Sequence, residues 1–562
     1  MSWPHLRRAQ RWALEEAPAG VVLGLTAILG AVIALWVFGP RYIAGTSAFW
    51  SWPAGDAAMM LTGWQYFIRD SWHFPIAQTE LRAPPTGVNI LYLDALPLVA
   101  VLAKLLRPLL GITWHPYGVW HLAIYVLQGV LAALVARRLG LRSLLGGMAV
   151  AVLALSTATF LLRFYHEGLN AHFVLLWAFL SYLRTNEARA RHLLAFEWTA
   201  CIGTAVTLHP YLGAMVCAIA AAAFVRFLRR DPKRAGQVAI VVVALVTSVL
   251  IVFGYIPQPV PENTGQFGMA SMNLLSTAVP FASTLAPRLP SPAIQEATGV
   301  QWDGANFLGV GVWSLVLVSL ALGWKIVREA VSKHWALTCA VVALALYAPG
   351  NKWYCGRALL LSYEVPGTLQ RFVDSFRATG RFFWPVTYAV LITAVVVVVR
   401  RLGRSGTLIV AIAAALQLVD ATAYMRVARE NVARPAKREL EWSEWASLLD
   451  GVTQVNTFPS NSCWFAQPEQ PIAVEDRVFM EQREIEFMAS ARGIRTNGGR
   501  SARNITNCSD ELEKRADALQ GRLHPDELYV FMKPIFSSAR LSSLPPHACR
   551  EFLDAYACKQ PR

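Results

Sequence analysis

The chain has 562 residues, 55% of them hydrophobic and 15% charged, with 20 Trp and a positive mean hydropathy of +0.39. Soluble domains of this length carry more charge, and apolar runs of about 20 residues match the roughly 30 Å hydrocarbon core of a bilayer. The net charge of +15 points at first to nucleic acid, but residues 425–562 hold 19 basic and 19 acidic residues; the whole excess sits in the apolar part, as a positive-inside signal, which excludes a nucleic-acid partner.

The first expected element is an uncleaved span from about Val21 to Phe38, preceded by Arg7, Arg8 and Arg11. Ten more spans are expected near 117–136, 144–162, 170–183, 193–208, 211–228, 236–254, 306–324, 335–348, 383–399 and 407–424. Basic connectors recur at every second junction: Arg137/Arg138/Arg142, Arg184/Arg189/Arg191, Arg226–Arg234, Lys325/Arg328/Lys333 and Arg400/Arg401/Arg404. With the N-terminus they hold 20 of the 32 basic residues before position 425. For all to face one side, the apolar segment Val88–Leu110 must not cross. Its Asp94, Pro97, Lys104 and Pro108 suit a membrane-lying helix in a large first outer loop, 39–116.

The expected fold is thus a polytopic α-helical membrane protein of about eleven spans, residues 1–424, with a C-terminal soluble α/β domain, 425–562. The N-terminus is expected in the cytoplasm of a bacterial inner membrane and the C-terminal domain in the periplasm. That domain alternates extended stretches (Thr453–Phe458, Gly493–Asn497, Glu527–Met532) with helical ones (Arg438–Leu449, Met480–Ala491, Asp510–Leu519). It carries Cys463, Cys508, Cys549 and Cys558, and an oxidising compartment favours one or two disulfides among them.

Function rests on the few charges of the outer face. Asp56 opens a helical segment after Trp50-Ser-Trp-Pro-Ala-Gly. It reads either as an N-cap, worth about 1 kcal/mol, or as a base that meets lipid-borne substrate at the membrane surface. Five of the twelve outer basic residues of the membrane part fall in one loop: Lys352, Arg357, Arg371, Arg377 and Arg381. They read as interfacial side chains paired with Glu364 and Asp374, or as a phosphate site; Arg377 and Arg381, four apart, would share a helix face. Arg163-Phe-Tyr-His166-Glu167 and Thr207-Leu-His209-Pro-Tyr211 collect polar groups at outer span ends. His166, Glu167, His209, Tyr211 and Asp94 are the expected pocket residues, with structural hydrogen bonding the competing role for the histidines and Asp94 an alternative base. Their spacing is too generic for a metal site, so no metal and no cofactor are expected.

The order span, loop, Gly55-Asp56, amphipathic helix, Arg82 before Pro84-Pro85, then a non-crossing apolar segment resembles the GT-C superfamily of membrane glycosyltransferases, which includes protein O-mannosyltransferases and lipid A aminoarabinose transferases. The stretch Phe376-Arg-Ala-Thr-Gly-Arg-Phe-Phe-Trp-Pro385 resembles a group of uncharacterised bacterial membrane proteins associated with the same superfamily. The resemblance implies an inverting transfer of sugar from a polyprenyl-phosphate donor, outside the cell, to a glycan, lipid or protein acceptor. Asp56 would be the general base. Arg377, Arg381 and Arg82 would bind the donor phosphate, for which the guanidinium fork is suited. Two other classes compete. A transporter or flippase of lipid-linked sugar would show internal repeats and mid-membrane charges, and neither is seen. A non-catalytic cell-envelope assembly protein would leave the Asp56 loop and the arginine cluster unexplained.

Overall fold

A computed structural model describes residues 12–53, 55–187, 190–257, 267–287, 296–466, 476–503, 507–545 and 548–560. Arg7, Arg8, Arg11 and Arg189 lie outside the described residues. The chain divides into two units. One comprises Met1–Ser47, Tyr117–Val249 and Glu262–Arg434; the other joins Ala48–Pro116, Leu250–Pro261 and Pro435–Arg562.

The first unit is a helical bundle: α1 Ala19–Phe38, α2 Tyr117–Arg138, α3 Leu144–Leu155, α4 Phe173–Arg184, α5 Arg191–Leu208, α6 Pro210–Arg230, α7 Pro232–Val252, α8 Val310–Lys333, α9 Trp335–Tyr347, α10 Trp384–Leu402 and α11 Arg404–Asn431. Among the described residues seven are long and apolar enough to cross a membrane: α1, α2, α6, α7, α8, α10 with its preceding turn, and α11. Three are apolar but shorter, at 12, 12 and 13 residues: α3, α4 and α9. The expected span 144–162 stops at Leu155 because Ser156 leaves helical geometry, and the Ser156 carbonyl accepts from Gln417 Nε2. Local chemistry sets several starts. Ser143 caps α3 by accepting from Gly146 N–H, and Pro210 and Pro385 occupy first-turn positions where no N–H is missed. Helices α2, α4, α6, α8 and α10 each carry a cation in the last turn. The alternation of basic connectors is thus a property of every even-numbered helix, where the C-terminal dipole also favours positive charge.

In the second unit, Val88–Leu110 forms a short strand (Val88–Asn89), a turn (Ile90–Leu93) and the helices Pro97–Leu105 and Arg107–Leu110. The longer has nine residues, about 14 Å at 1.5 Å per residue, less than half a bilayer core. The helix Gly55–Arg69 packs on Asp476–Arg492, tied by Ser490 Oγ donating to Gln65 at 2.6 Å.

Beside these lies a five-stranded sheet: β1 Gln454–Phe458, β2 Arg495–Thr496, β3 Glu527–Met532, β4 Cys549–Glu551 and β5 Ala555–Cys558, in spatial order β2-β1-β3-β5-β4. The first three run parallel, and β5 and β4 add antiparallel as a hairpin. The chain leaves β1 through Asp476–Arg492 to reach β2 on one side, then returns through Cys508–Leu519 to β3 on the other. The strands are apolar because they are buried: Val455, Phe458, Leu528, Val530 and Phe531 form the core with Trp445, Ile485 and Met488. Residues 81–83 extend the sheet beyond β2, where Arg82 pairs in parallel with Thr496. Two disulfides form, Cys463–Cys508 and Cys549–Cys558.

Candidate functional site

Asp56 lies in the first turn of Gly55–Arg69, where the helix dipole favours a carboxylate. Its side chain is 21% exposed, and Oδ1 accepts from Arg500 Nη2 at 3.0 Å. Arg500 sits on the segment that leaves β2, so the α/β layer supplies a cation to the loop carboxylate. Nothing local in the sequence marked Arg500: the pair spans 444 positions.

Arg82, expected at the donor phosphate, is engaged within the second unit. Its Nε lies 2.8 Å from Glu486, its Nη2 donates to the Arg500 carbonyl at 2.8 Å, and the residue is 3% exposed. Burial raises the Glu486 carboxyl, and the Arg82 guanidinium works against that rise. The Arg82 guanidinium is thus tied to a buried carboxylate and to the backbone of Arg500. Asp94 adopts a left-handed conformation, φ +53°, that ends the turn Ile90–Leu93.

Arg82 also borders a cleft of about 460 Å³ with Pro85, Gln454, Asn497, Glu511 and Lys514. The strand order reverses at β1, and in open α/β sheets that is where clefts form, beside the carboxyl ends of the strands. Glu511 accepts from Ser460 N–H at 2.9 Å and from Asn497 Nδ2 at 3.3 Å. Burial lifts its carboxyl to about 7.

In the helical unit Arg163 and Arg381 meet on one carboxylate that sequence reasoning missed. Asp303 accepts from Arg381 Nε at 2.8 Å and Nη2 at 3.1 Å, a two-point fork, and also pairs with Arg163. Burial alone would raise the Asp303 carboxyl; Arg163 first, then Arg381, outweigh it and hold it well below the carboxylate range. Glycines make the meeting possible. A Cβ on Gly380 would lie 2.5 Å from Gly304 Cα, and one on Gly304 would lie 2.2 Å from the Ser271 carbonyl oxygen. The turns Gln301–Gly304 and Thr379–Phe383 therefore touch backbone to backbone, and Asn306 Nδ2 ties the Gly304 and Gly380 carbonyls at 2.8 and 3.0 Å.

Tyr211 places its ring 4.9 Å from the Arg381 guanidinium, and its hydroxyl accepts from Ala378 N–H at 2.9 Å. His209 caps α6, its Nδ1 accepting from Tyr211 N–H at 3.2 Å. Burial first, then Arg381 and His166, lower its pKa. His166 also acts on Asp303 electrostatically. Glu167 is buried, and its carbonyl accepts from Trp120 Nε1 at 3.2 Å. The expected shared helix face of Arg377 and Arg381 does not form. The helix Gly367–Asp374 ends before Arg377, and Arg381 belongs to the separate turn Thr379–Phe383. Among the described residues no group of three or more His, Cys, Asp or Glu side chains could hold a metal ion.

Helices and sheet together define a mostly helical, multi-pass membrane protein with a C-terminal α/β region. The family described as "Domain of unknown function (DUF6311)" matches residues 27–422, and "DUF6311 C-terminal domain" matches residues 444–560. The chain belongs to this family. No curated protein matches it. Among solved structures it is similar to the oligosaccharyltransferase of Archaeoglobus fulgidus in the apo form, at 12% identity and a TM-score of 0.43, covering 85% of this chain. The chain spans 64% of that protein's length.

Proposed function

We propose that the chain is an inverting glycosyltransferase of the GT-C kind that moves a sugar from a polyprenyl-phosphate donor to an acceptor on the outer face. In this reading eleven helices cross, 88–110 lies in the interface, and the C-terminal region is periplasmic. Asp56 carries the reading: it is partly exposed, set at a helix N-terminus and held by Arg500 at 3.0 Å. Those are the features of a carboxylate held in one orientation and open to a partner. The acceptor hydroxyl gives its proton to Asp56, and its oxygen attacks the anomeric carbon. The bond from that carbon to the phosphate oxygen breaks, and the electron pair leaves on the lipid phosphate. The donor phosphate is assigned to Arg377 and Arg381, with Asp303 fixing the Arg381 fork. His166, Glu167, His209 and Tyr211 shape that surrounding, and Asp94 is the alternative base. Arg82 positions Arg500, and the cleft it borders receives the acceptor. The reaction itself calls for no metal, because the leaving group is a lipid monophosphate.

The test is donor consumption by the purified full-length chain with a panel of polyprenyl-phosphate sugars, for wild type and Asp56→Asn. Loss of a positioned base lowers turnover about 10²–10⁴-fold. Turnover within a few-fold of wild type in Asp56→Asn moves the role to Asp94 or Glu167. No consumption of any donor by the wild type removes the enzymatic reading.

A further inference from the structure

The basic end of the helical unit holds a crevice of about 520 Å³ between α2, α4, α8, α9 and α10. Its walls are apolar, with Leu139, Phe179, Leu320 and Val397 among them. A break in α8 accompanies it. Gly323 leaves helical geometry at φ −129°, ψ 17°, and a Cβ there would lie 2.2 Å from Val397 Cγ1. Glycine alone lets α8 lie on α10 at this level and then turn off line, since helix kinks sit where the hydrogen-bond ladder is interrupted. Arg401 Nε donates to the Leu322 carbonyl at 3.1 Å beside the break. The half of α8 beyond the kink, with α9, lines the crevice down to its basic mouth.

That mouth is polar and cationic. Tyr182, Lys333, His334 and Arg400 line it, together with one acid, Glu329. Arg226 joins them, donating to Tyr182 Oη at 2.8 Å, with the same nitrogen 3.3 Å from His334 Nδ1. Arg226, Lys333 and Arg400 all act electrostatically on His334. Among the described residues none of these three cations has a carboxylate within ion-pair distance, so with Glu329 counted the mouth carries an excess of two positive charges. Like charges drawn together at a low-dielectric wall are unfavourable unless an anion completes them. An apolar slot under an unbalanced cationic rim has the shape of a lipid: a chain for the slot and a phosphate for the rim.

We propose that this crevice binds an anionic glycerophospholipid, with one acyl chain between α8 and α10 and the headgroup phosphate at Arg226, Lys333 and Arg400. The site is independent of the glycosyl-transfer reading. A neutral or zwitterionic lipid would fill the slot but leave the three cations unbalanced, so the headgroup is the discriminating feature.

The experiment titrates the full-length chain in detergent with dioleoyl-phosphatidylglycerol and dioleoyl-phosphatidylcholine and counts bound lipid by native mass spectrometry. The wild type should retain phosphatidylglycerol at least tenfold more tightly. The triple variant Arg226→Gln/Lys333→Gln/Arg400→Gln should fall to the phosphatidylcholine level. Lys325→Gln/Arg328→Gln removes two cations of the same helix that do not line the crevice, and should keep the preference. Ala330→Trp fills the slot with every charge in place, and should weaken both lipids. Equal retention of the two lipids by the wild type overturns the proposal. So does a preference that survives the triple variant, or one that the Lys325/Arg328 variant loses equally, which would make it a property of the basic surface at large.

Discussion

The two halves of this chain solve opposite solvent problems with the same side chains. In the helical unit large apolar residues point outward: Ile240 is 71% exposed and Leu317 62%. From Pro435 to Arg562 the one large hydrophobic so exposed among the described residues is Leu553. Charge is distributed the other way. The α/β region carries exposed ion pairs such as Arg550–Glu444 and Arg522–Asp517, with Arg82–Glu486 the buried exception described above. The helical unit buries Asp303 between two arginines. Where lipid is the outer solvent, a charge is best kept inside and paired; where water is, it is best kept outside, and pairing matters little.

The largest test of that contrast is Asp303→Asn. It leaves Arg163 and Arg381 buried against a neutral amide and should destabilise the helical unit by about 3–5 kcal/mol, read as a lower detergent-solubilised Tm. A shift under about 1 kcal/mol would mean the buried triad is dispensable. On the α/β side, Cys463→Ser/Cys508→Ser opens a cross-link between residues 45 apart in sequence. The expected cost is about 2–5 kcal/mol, measured as faster hydrogen exchange of the β3 amides with the helical unit unchanged.

Glu511 gives the next effect. Its folded-state pKa is about 7 against an ordinary 4.5. A raised carboxyl contributes its stability in full below the unfolded value and loses it as pH climbs through the folded one. From pH 5 to pH 8 Glu511 should therefore lower the protection of β3 by roughly 3 kcal/mol, and Glu511→Gln should remove that share of the slope. Glu481, raised to about 8 by burial and by the adjacent Asp554, titrates in the same direction and leaves a residue. A protection profile rising with pH would contradict the assignment. The smallest expected effect is Arg550→Ala: both partners of its 2.8 Å pair are about half exposed, and the loss should stay below about 1 kcal/mol.

What could be read from the sequence follows the range of the interaction. Apolar runs and alternating arginines are local, and a helix forms at each expected span position. Thr453–Phe458 and Glu527–Met532 become β1 and β3 because an apolar run between turn signals has few other fates. The features that escaped are non-local. Asp303 meets Arg163 across 140 positions and Arg381 across 78, through glycine contacts with no periodic signature. Arg500 reaches Asp56 across 444. Four-residue spacing suggested one helix for Arg377 and Arg381, but spacing is informative only where the helix continues, and Gly367–Asp374 stops short of it. The first loop and the α/β region lie far apart in sequence yet fall in one compact unit.

That last grouping sets an order of events during synthesis. The outer rim of β2 is closed by residues 81–83, made more than four hundred positions earlier, while the opposite rim is closed by the short β4–β5 hairpin and its own cystine. A ribosome that has just finished β3 has a sheet whose missing neighbour has long since left the exit tunnel. The α/β layer can therefore complete itself only by retrieving an old segment of its own chain. Cut out and expressed alone, it would present raw backbone where Leu81–Ala83 belongs, and self-association along that rim is the fate to expect of it.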